Sequence, residues 1–188
     1  HHLEQFSYYT SFYFSSTDLQ GERACLNRLK ADRLDGIILL HEIMIPEFQT
    51  YLEANAIPTV LATFSRKDWQ ATSITISEED AALTAVNHLI SLGHRKIGFI
   101  GGEKYGFASV RLEGYKRALK DAGIDFDEQL VVQAQTYTME EGAVATRTLI
   151  DRATPFTALF AITDELALGA IRALADRGLS VPDDVSVV

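Results

Sequence analysis

Short apolar runs alternate with helically periodic stretches along the whole chain, with no low-complexity tract or Pro-rich linker between them. The runs at residues 7–14, 35–40, 58–62, 73–76, 96–100, 129–134, 158–162 and 185–188 read as strands. Several are rich in Ile, Val and Phe without polar alternation, as expected of strands covered on both faces by helices. Between 78 and 92, Leu83, Val86, Leu89 and Ile90 recur at helical spacing, so one stripe faces a core. A second helix, near 109–122, carries Leu112, Tyr115 and Leu119 on one side. Further helices are expected near 18–31 and 46–54, from Thr138 to about Arg152, and from Thr163 to Gly178.

Start and stop signals support these boundaries. Ser77 with Asp80, and Thr138 with Glu141, have capping-box spacing, and Thr163 precedes Asp164 and Glu165 in the first turn, where acids complement the helix dipole. Gly93, Gly123 and Gly178 stand where left-handed helix stops are needed. Strand–helix alternation of this kind is the signature of an α/β fold with parallel sheets flanked by helices. In such folds ligands sit at the carboxyl ends of the strands, so function is sought in the strand-to-helix connections.

Composition narrows the classes. Apolar residues make up 47% of the 188 positions and charged residues 23%, an ordinary globular balance. No stretch approaches the roughly 18 apolar residues that cross a bilayer. The start, His1-His2-Leu3-Glu4, is not an export signal, and the leading histidines read as a tag remnant. The formal charge of −9 opposes binding to a polyanion, since nucleic-acid affinity comes largely from Lys and Arg at phosphates. The lone Cys25 cannot form an intrachain disulfide, which fits a cytoplasmic protein, and it reads as a small buried apolar residue.

Enzyme motifs fail. His41-Glu42 resembles the opening of a zinc-protease helix, but Ile45 stands where the second histidine belongs. The glycines at 98, 101, 102 and 106 do not have dinucleotide-binding spacing, and neither G-x-S-x-G nor a P-loop occurs. His88 and His94 form no metal set. The expectation is a binding protein without catalytic residues, cofactor or metal.

Five segments carry a family resemblance. The stretch from Val86 to Ile100, containing Leu92-Gly93-His94-Arg95-Lys96-Ile97, is similar to the LacI/GalR signature in which a helix ends in L-G-H-[RK]-x-I before an apolar strand. Arg111-Leu112-Glu113-Gly114-Tyr115-Lys116-Arg117-Ala118-Leu119 resembles that family's R-x-x-G-[FY]-x-x-A-L helix. Asp164 to Ala170, Gly178 to Val188, and Leu34-Asp35-Gly36-Ile37-Ile38 look like further elements in the same order. The resemblance implies two Rossmann-like lobes around a cleft, periplasmic-binding-protein-like type I, with residues 1–92 in the first lobe and 93–188 in the second, both incomplete. It implies a small polar effector, a sugar or derivative, whose binding changes the angle between the lobes. It also implies a side-by-side homodimer and operator DNA read by a helix-turn-helix headpiece absent from this segment. An exported sugar-binding protein of a transporter, which shares the fold, is the alternative. The family's first strand and its C-terminal G-[FY]-D-D segment with the crossover strands are also missing, so truncation at both ends is expected.

By the same resemblance Arg111 faces the cleft, its guanidinium offering a rigid fork of donors to hydroxyls or a carboxylate. The competing reading is a surface arginine paired with an acid such as Glu113. Tyr137 stands where relatives place an aromatic ring against the ligand, and core packing is its alternative. Phe107, in the glycine-containing loop before the Arg111 helix, is a similar candidate. Thr163 and Asp164 occupy a position where many relatives have Asn-Asp, and helix capping explains them equally well. Asp80 is either a ligand acceptor from the first lobe or the far half of a cap.

Overall fold

The computed structural model describes residues 3–15, 18–41, 43, 45–101 and 106–188. Glu42 of the rejected zinc-protease motif, Gly102 of the glycine loop and the leading His1 and His2 lie outside them. The chain parts into two compact units, His1–Ile76 and Ser77–Val188, each with its own apolar cluster.

In the first unit, helix α1 (Leu19–Ala31), strand β1 (Ile37–Leu39), helix α2 (Pro46–Ala54) and strands β2 (Thr59–Ala62) and β3 (Thr72–Ile74) follow one another. The strands form a parallel sheet in the order β1-β2-β3, with Ile38 opposite Val60 and Val60 opposite Thr72. Asp18 caps α1 by accepting from Gly21 N, and Pro46 occupies the first turn of α2, where no N–H is required. Leu26, Leu29, Phe48, Leu52 and Leu61 fill the core on one face of the sheet. Cys25 is buried among them, and burial pushes its thiol pKa up, leaving it protonated and inert.

Residues 7–14, expected as a strand, pair with nothing in this sheet. Tyr9, Phe12 and Phe14 lie exposed, and an open groove separates the segment from β1 and β2. Strand propensity alone does not hold a strand, because extended backbone needs a neighbour to take its N–H and C=O groups. Ile38, Leu40 and Ile74 also remain exposed, so the sheet has an uncovered apolar face where two covered faces were expected.

The second unit contains helix α3 (Glu78–Ser91), strand β4 (Ile97–Ile100), helix α4 (Gly106–Asp121), strand β5 (Val131–Val132), helix α5 (Met139–Asp151), strand β6 (Ala158–Ala161), helix α6 (Asp164–Asp176) and strand β7 (Ser186–Val187). Its parallel sheet runs β5-β4-β6-β7, with Ile97 opposite Ala158 and Phe99 opposite both Phe160 and Val131. Every residue of β4 and β6 is buried, which is why these strands carry no polar alternation. Phe99 packs on Tyr115 at 5.3 Å and edge-on to Phe160 at 5.7 Å. The Tyr115 hydroxyl donates to the Ile97 carbonyl at 2.8 Å, and burial raises its pKa well above the usual phenol range.

The division between units falls between Ile76 and Ser77, upstream of the Leu92/Gly93 boundary that the motifs suggested. Helix α3 goes with the second unit because it packs against α4 at close range. A Cβ on Gly114 would stand 2.3 Å from the Glu79 carbonyl oxygen and 2.8 Å from the Ala82 methyl. Helices α5 and α6 meet in the same way: a Cβ on Gly142 would fall 2.3 Å from the Leu166 carbonyl oxygen, and one on Gly169 2.0 Å from that of Met139. Gly114, Gly142 and Gly169 are therefore contact points between helix backbones.

Candidate functional site

In the second unit, β5 lies on one side of β4 and β6 on the other, so the chain winds in both directions from β4. The strand order reverses between β4 and β6, and in open α/β sheets the usual ligand position is outside the carboxyl ends of the strands at such a point. The expected site residues can be placed against it.

Arg111 lies in α4, its side chain 23% exposed. Its Nε donates to Glu78 Oε2 at 2.7 Å, and one terminal nitrogen donates to the Ile162 carbonyl, at the carboxyl end of β6. The ion pair joins α3 to α4, and Glu78 is itself 20% exposed. Glu113, the partner considered from sequence, instead accepts from Lys116 at 2.8 Å. Phe107 sits within the first turn of α4, not in a preceding loop, and its ring centroid is 5.1 Å from the Arg111 guanidinium carbon. Tyr137, in the connection between β5 and α5, stacks on Phe107 with centroids 5.1 Å apart and planes 26° from parallel. Three of the expected residues therefore form one layered group of ring, ring and guanidinium, with Glu78 on the far edge.

The remaining candidates divide. Thr163 caps α6, its hydroxyl accepting from Leu166 N at 3.4 Å, and it directly follows the Ile162 carbonyl that holds Arg111. Asp164, the first residue of α6, is exposed. Asp80 falls within the second unit, near its start. Its carboxylate accepts from Ser77 Oγ at 2.8 Å and lies 3.6 Å from Arg117, which also meets Glu79 at 3.1 Å. The Ser77–Asp80 pair joins side chain to side chain, and Ser77 makes no side-chain bond to the α3 backbone, so the capping box is not formed there. At α5 the expected cap does form, with Glu141 N donating to the Thr138 hydroxyl at 3.3 Å. Glu141 in turn reaches the backbone N–H of Gln135, not that of Thr138, and so pins the connection that carries Tyr137.

Sequence reasoning missed Glu78. It is one of three consecutive acids in the first turn of α3, and its pairing with Arg111 spans 33 positions, which no local pattern signals. Among the described residues, no group of three or more His, Cys, Asp or Glu side chains could hold a metal ion. His94 Nδ1 is 2.9 Å from the Thr157 hydroxyl, and His88 lies exposed on α3. Among the described residues no helix is long and apolar enough to cross a membrane.

The arginine–aromatic group thus lies at the carboxyl end of a parallel, helix-flanked sheet, at the point where the strand order reverses. Residues 86–188 match the family model of the periplasmic binding protein-like domain, and the chain belongs to that family. Its relatives and structural neighbours are LacI-family regulators and their effector-binding domains. Catabolite control protein A of Priestia megaterium is 36% identical over 165 residues, which cover 87% of this chain and 49% of that protein. A sugar-binding LacI-family transcriptional regulator from Escherichia coli, crystallised with phosphate, superposes with a TM-score of 0.80 at 28% identity, over 98% of this chain and 67% of that one. The complex of the transcriptional regulator CelR with cellobiose gives a TM-score of 0.76 at 31% identity, over 90% and 53% respectively. The chain spans about half the length of the curated relatives it matches.

Proposed function

We propose that this chain is the effector-sensing part of a LacI/GalR-type transcription regulator acting in the cytoplasm, and that its effector is a small polyhydroxylated metabolite, a sugar or a derivative. The observation that carries this reading is the group of Arg111, Phe107 and Tyr137 at the switch point of the second sheet. Stacked aromatic rings offer an apolar surface to a sugar face or a planar base, while the guanidinium supplies directional donors to its hydroxyls. Thr163 is the next contact in this proposal, because it adjoins the carbonyl that holds Arg111. Asp164 and Asp80 are assigned to helix starts and surface pairing. The cellobiose complex of CelR is a precedent for a sugar ligand on this fold. Relatives that are transcription regulators and not enzymes favour this reading over catalysis, and also over a transporter receptor.

In this proposal the effector biases one conformational state over another through its differential affinity, and a helix-turn-helix headpiece reads the consequence at operator DNA. DNA contact belongs to that headpiece, because a segment with a formal charge of −9 repels phosphates. Calorimetry against sugars, sugar phosphates and nucleosides is expected to find a ligand among the neutral or mildly acidic polyols. Tight binding of a cationic ligand alone would sink the proposal.

Homodimerisation is part of the same proposal and rests on kinship with regulators that pair side by side. Sedimentation of the full-length regulator at micromolar concentration is expected to show a dimer. A monomer throughout that range would count against it.

A further inference from the structure

We infer that Glu78 sets the charge specificity of the Arg111 site, restricting it to uncharged hydroxyl-bearing ligands and excluding anions. The inference rests on the reading of that group as the effector site, and it narrows the effector class to neutral polyols.

The argument starts from what Arg111 has left to give. Its Nε is bonded to Glu78 at 2.7 Å and one terminal nitrogen to the Ile162 carbonyl, and Phe107 covers one face of the guanidinium. Among the described residues the other terminal nitrogen has no partner. A ligand arriving there meets an N–H donor beside a carboxylate acceptor, since the oxygens of Glu78 and the guanidinium belong to one ion pair. A hydroxyl donates and accepts at once and satisfies both partners, whereas a phosphate or carboxylate only accepts. An anion could use the donor only while facing the negative charge of Glu78, or by pulling Arg111 away and leaving a largely buried carboxylate unpaired. An arginine without a carboxylate partner is a general anion receptor, and Glu78 removes that property while keeping the donor geometry.

The neighbouring charges do not reverse this. Among the described residues, Arg117 engages Glu79 and Asp80, and Lys116 engages Glu113, so neither of these cations takes over the role of Arg111 at Glu78. Among the described residues at the sheet end, Thr163 and Tyr137 are uncharged and Asp164, which follows Thr163, is acidic, so none of the three is a cation.

The test uses inorganic phosphate as the probe, titrated calorimetrically into this chain. The wild-type chain is expected to bind it no tighter than the millimolar range. Glu78→Gln removes the charge and keeps an oxygen for Arg111 Nε, and is expected to bind phosphate at least about tenfold tighter. Arg111→Ala placed on top of Glu78→Gln should abolish the gain. Glu113→Gln, the same charge change at an acid paired with Lys116, should show none. Glu78→Ala carries the same expectation and replaces the glutamine variant if that one lowers the melting temperature. Wild-type phosphate binding as tight as that of Glu78→Gln, an equal gain in Glu113→Gln, or a gain that survives loss of Arg111 would overturn the inference. If Glu78→Gln gains nothing while a neutral sugar still binds and is lost with Arg111→Ala, the charge filter fails and the effector-site reading stands. Should no sugar bind in an Arg111-dependent way, it is the effector-site reading that fails.

Discussion

Replacing Gly169 with alanine is expected to destabilise the second unit by about 3 kcal/mol or more, lowering its thermal midpoint by about 10 °C or more. On an exposed helix the same change would stabilise, because alanine exceeds glycine in helix propensity by about 1 kcal/mol. Packing decides the sign here. A methyl at 169 would stand 2.0 Å from the Met139 carbonyl oxygen and 2.7 Å from Ala143 N, and backbone atoms of a neighbouring helix cannot rotate aside. Helices α5 and α6 would have to separate, which opens space around Leu166 and Leu149, both fully buried. Gly142→Ala acts at the same crossing, 2.3 Å from the Leu166 carbonyl oxygen, so the two substitutions should not add, since one separation relieves both clashes. Circular dichroism melts of the parent chain and the single and double variants check this. A Gly169→Ala variant as stable as its parent would show that the helices do not cross this closely.

The elements that local chemistry determines were legible in the sequence. Strands β4 and β6 announce themselves as apolar runs, Thr138 and Thr163 cap where their spacing suggests, and Gly93, Gly123 and Gly178 adopt positive φ at the ends of α3, α4 and α6. The R-x-x-G-[FY] pattern of α4 was legible as family kinship, and the structure divides its meaning. Gly114 lets α3 approach, Tyr115 fills the core against Phe99, and Arg111 alone turns to the sheet end. What stayed hidden depends on contacts between distant positions. The unit boundary follows from the packing of α3 on α4 and not from the Leu92-Gly93 punctuation that ends α3. Residues 7–14 have every local property of a strand, but a strand is defined by its neighbour, and nothing in the run itself says whether one is present. The partner of Arg111 could not be read from spacing either, since Glu113 and Glu78 are equally acidic and only the fold distinguishes them.

Truncating Arg111 to alanine is expected to weaken effector binding by roughly 10- to 150-fold, corresponding to charge-assisted hydrogen bonds worth about 1.5–3 kcal/mol. For an unpaired arginine at a cleft wall, stability would hardly change. The ion pair with Glu78 alters that expectation. Loss of the guanidinium strands a carboxylate that is 20% exposed and frees the Ile162 carbonyl, so a cost of about 1–2 kcal/mol in stability accompanies the loss of affinity. Arg111→Lys separates the two effects. Lysine keeps a cation for Glu78 but offers a point charge where arginine offers a planar fork, so it should preserve most of the melting temperature and lose most of the affinity. Operator binding by the full-length regulator depends on headpiece contacts to phosphates and should persist in both variants in the effector state that favours DNA. A thermal melt, an operator titration and an effector titration on each variant make the comparison. Effector affinity unchanged in both would reduce Arg111 to a strut between α3, α4 and the end of β6, whereas affinity lost only where the melt collapses would make its role structural.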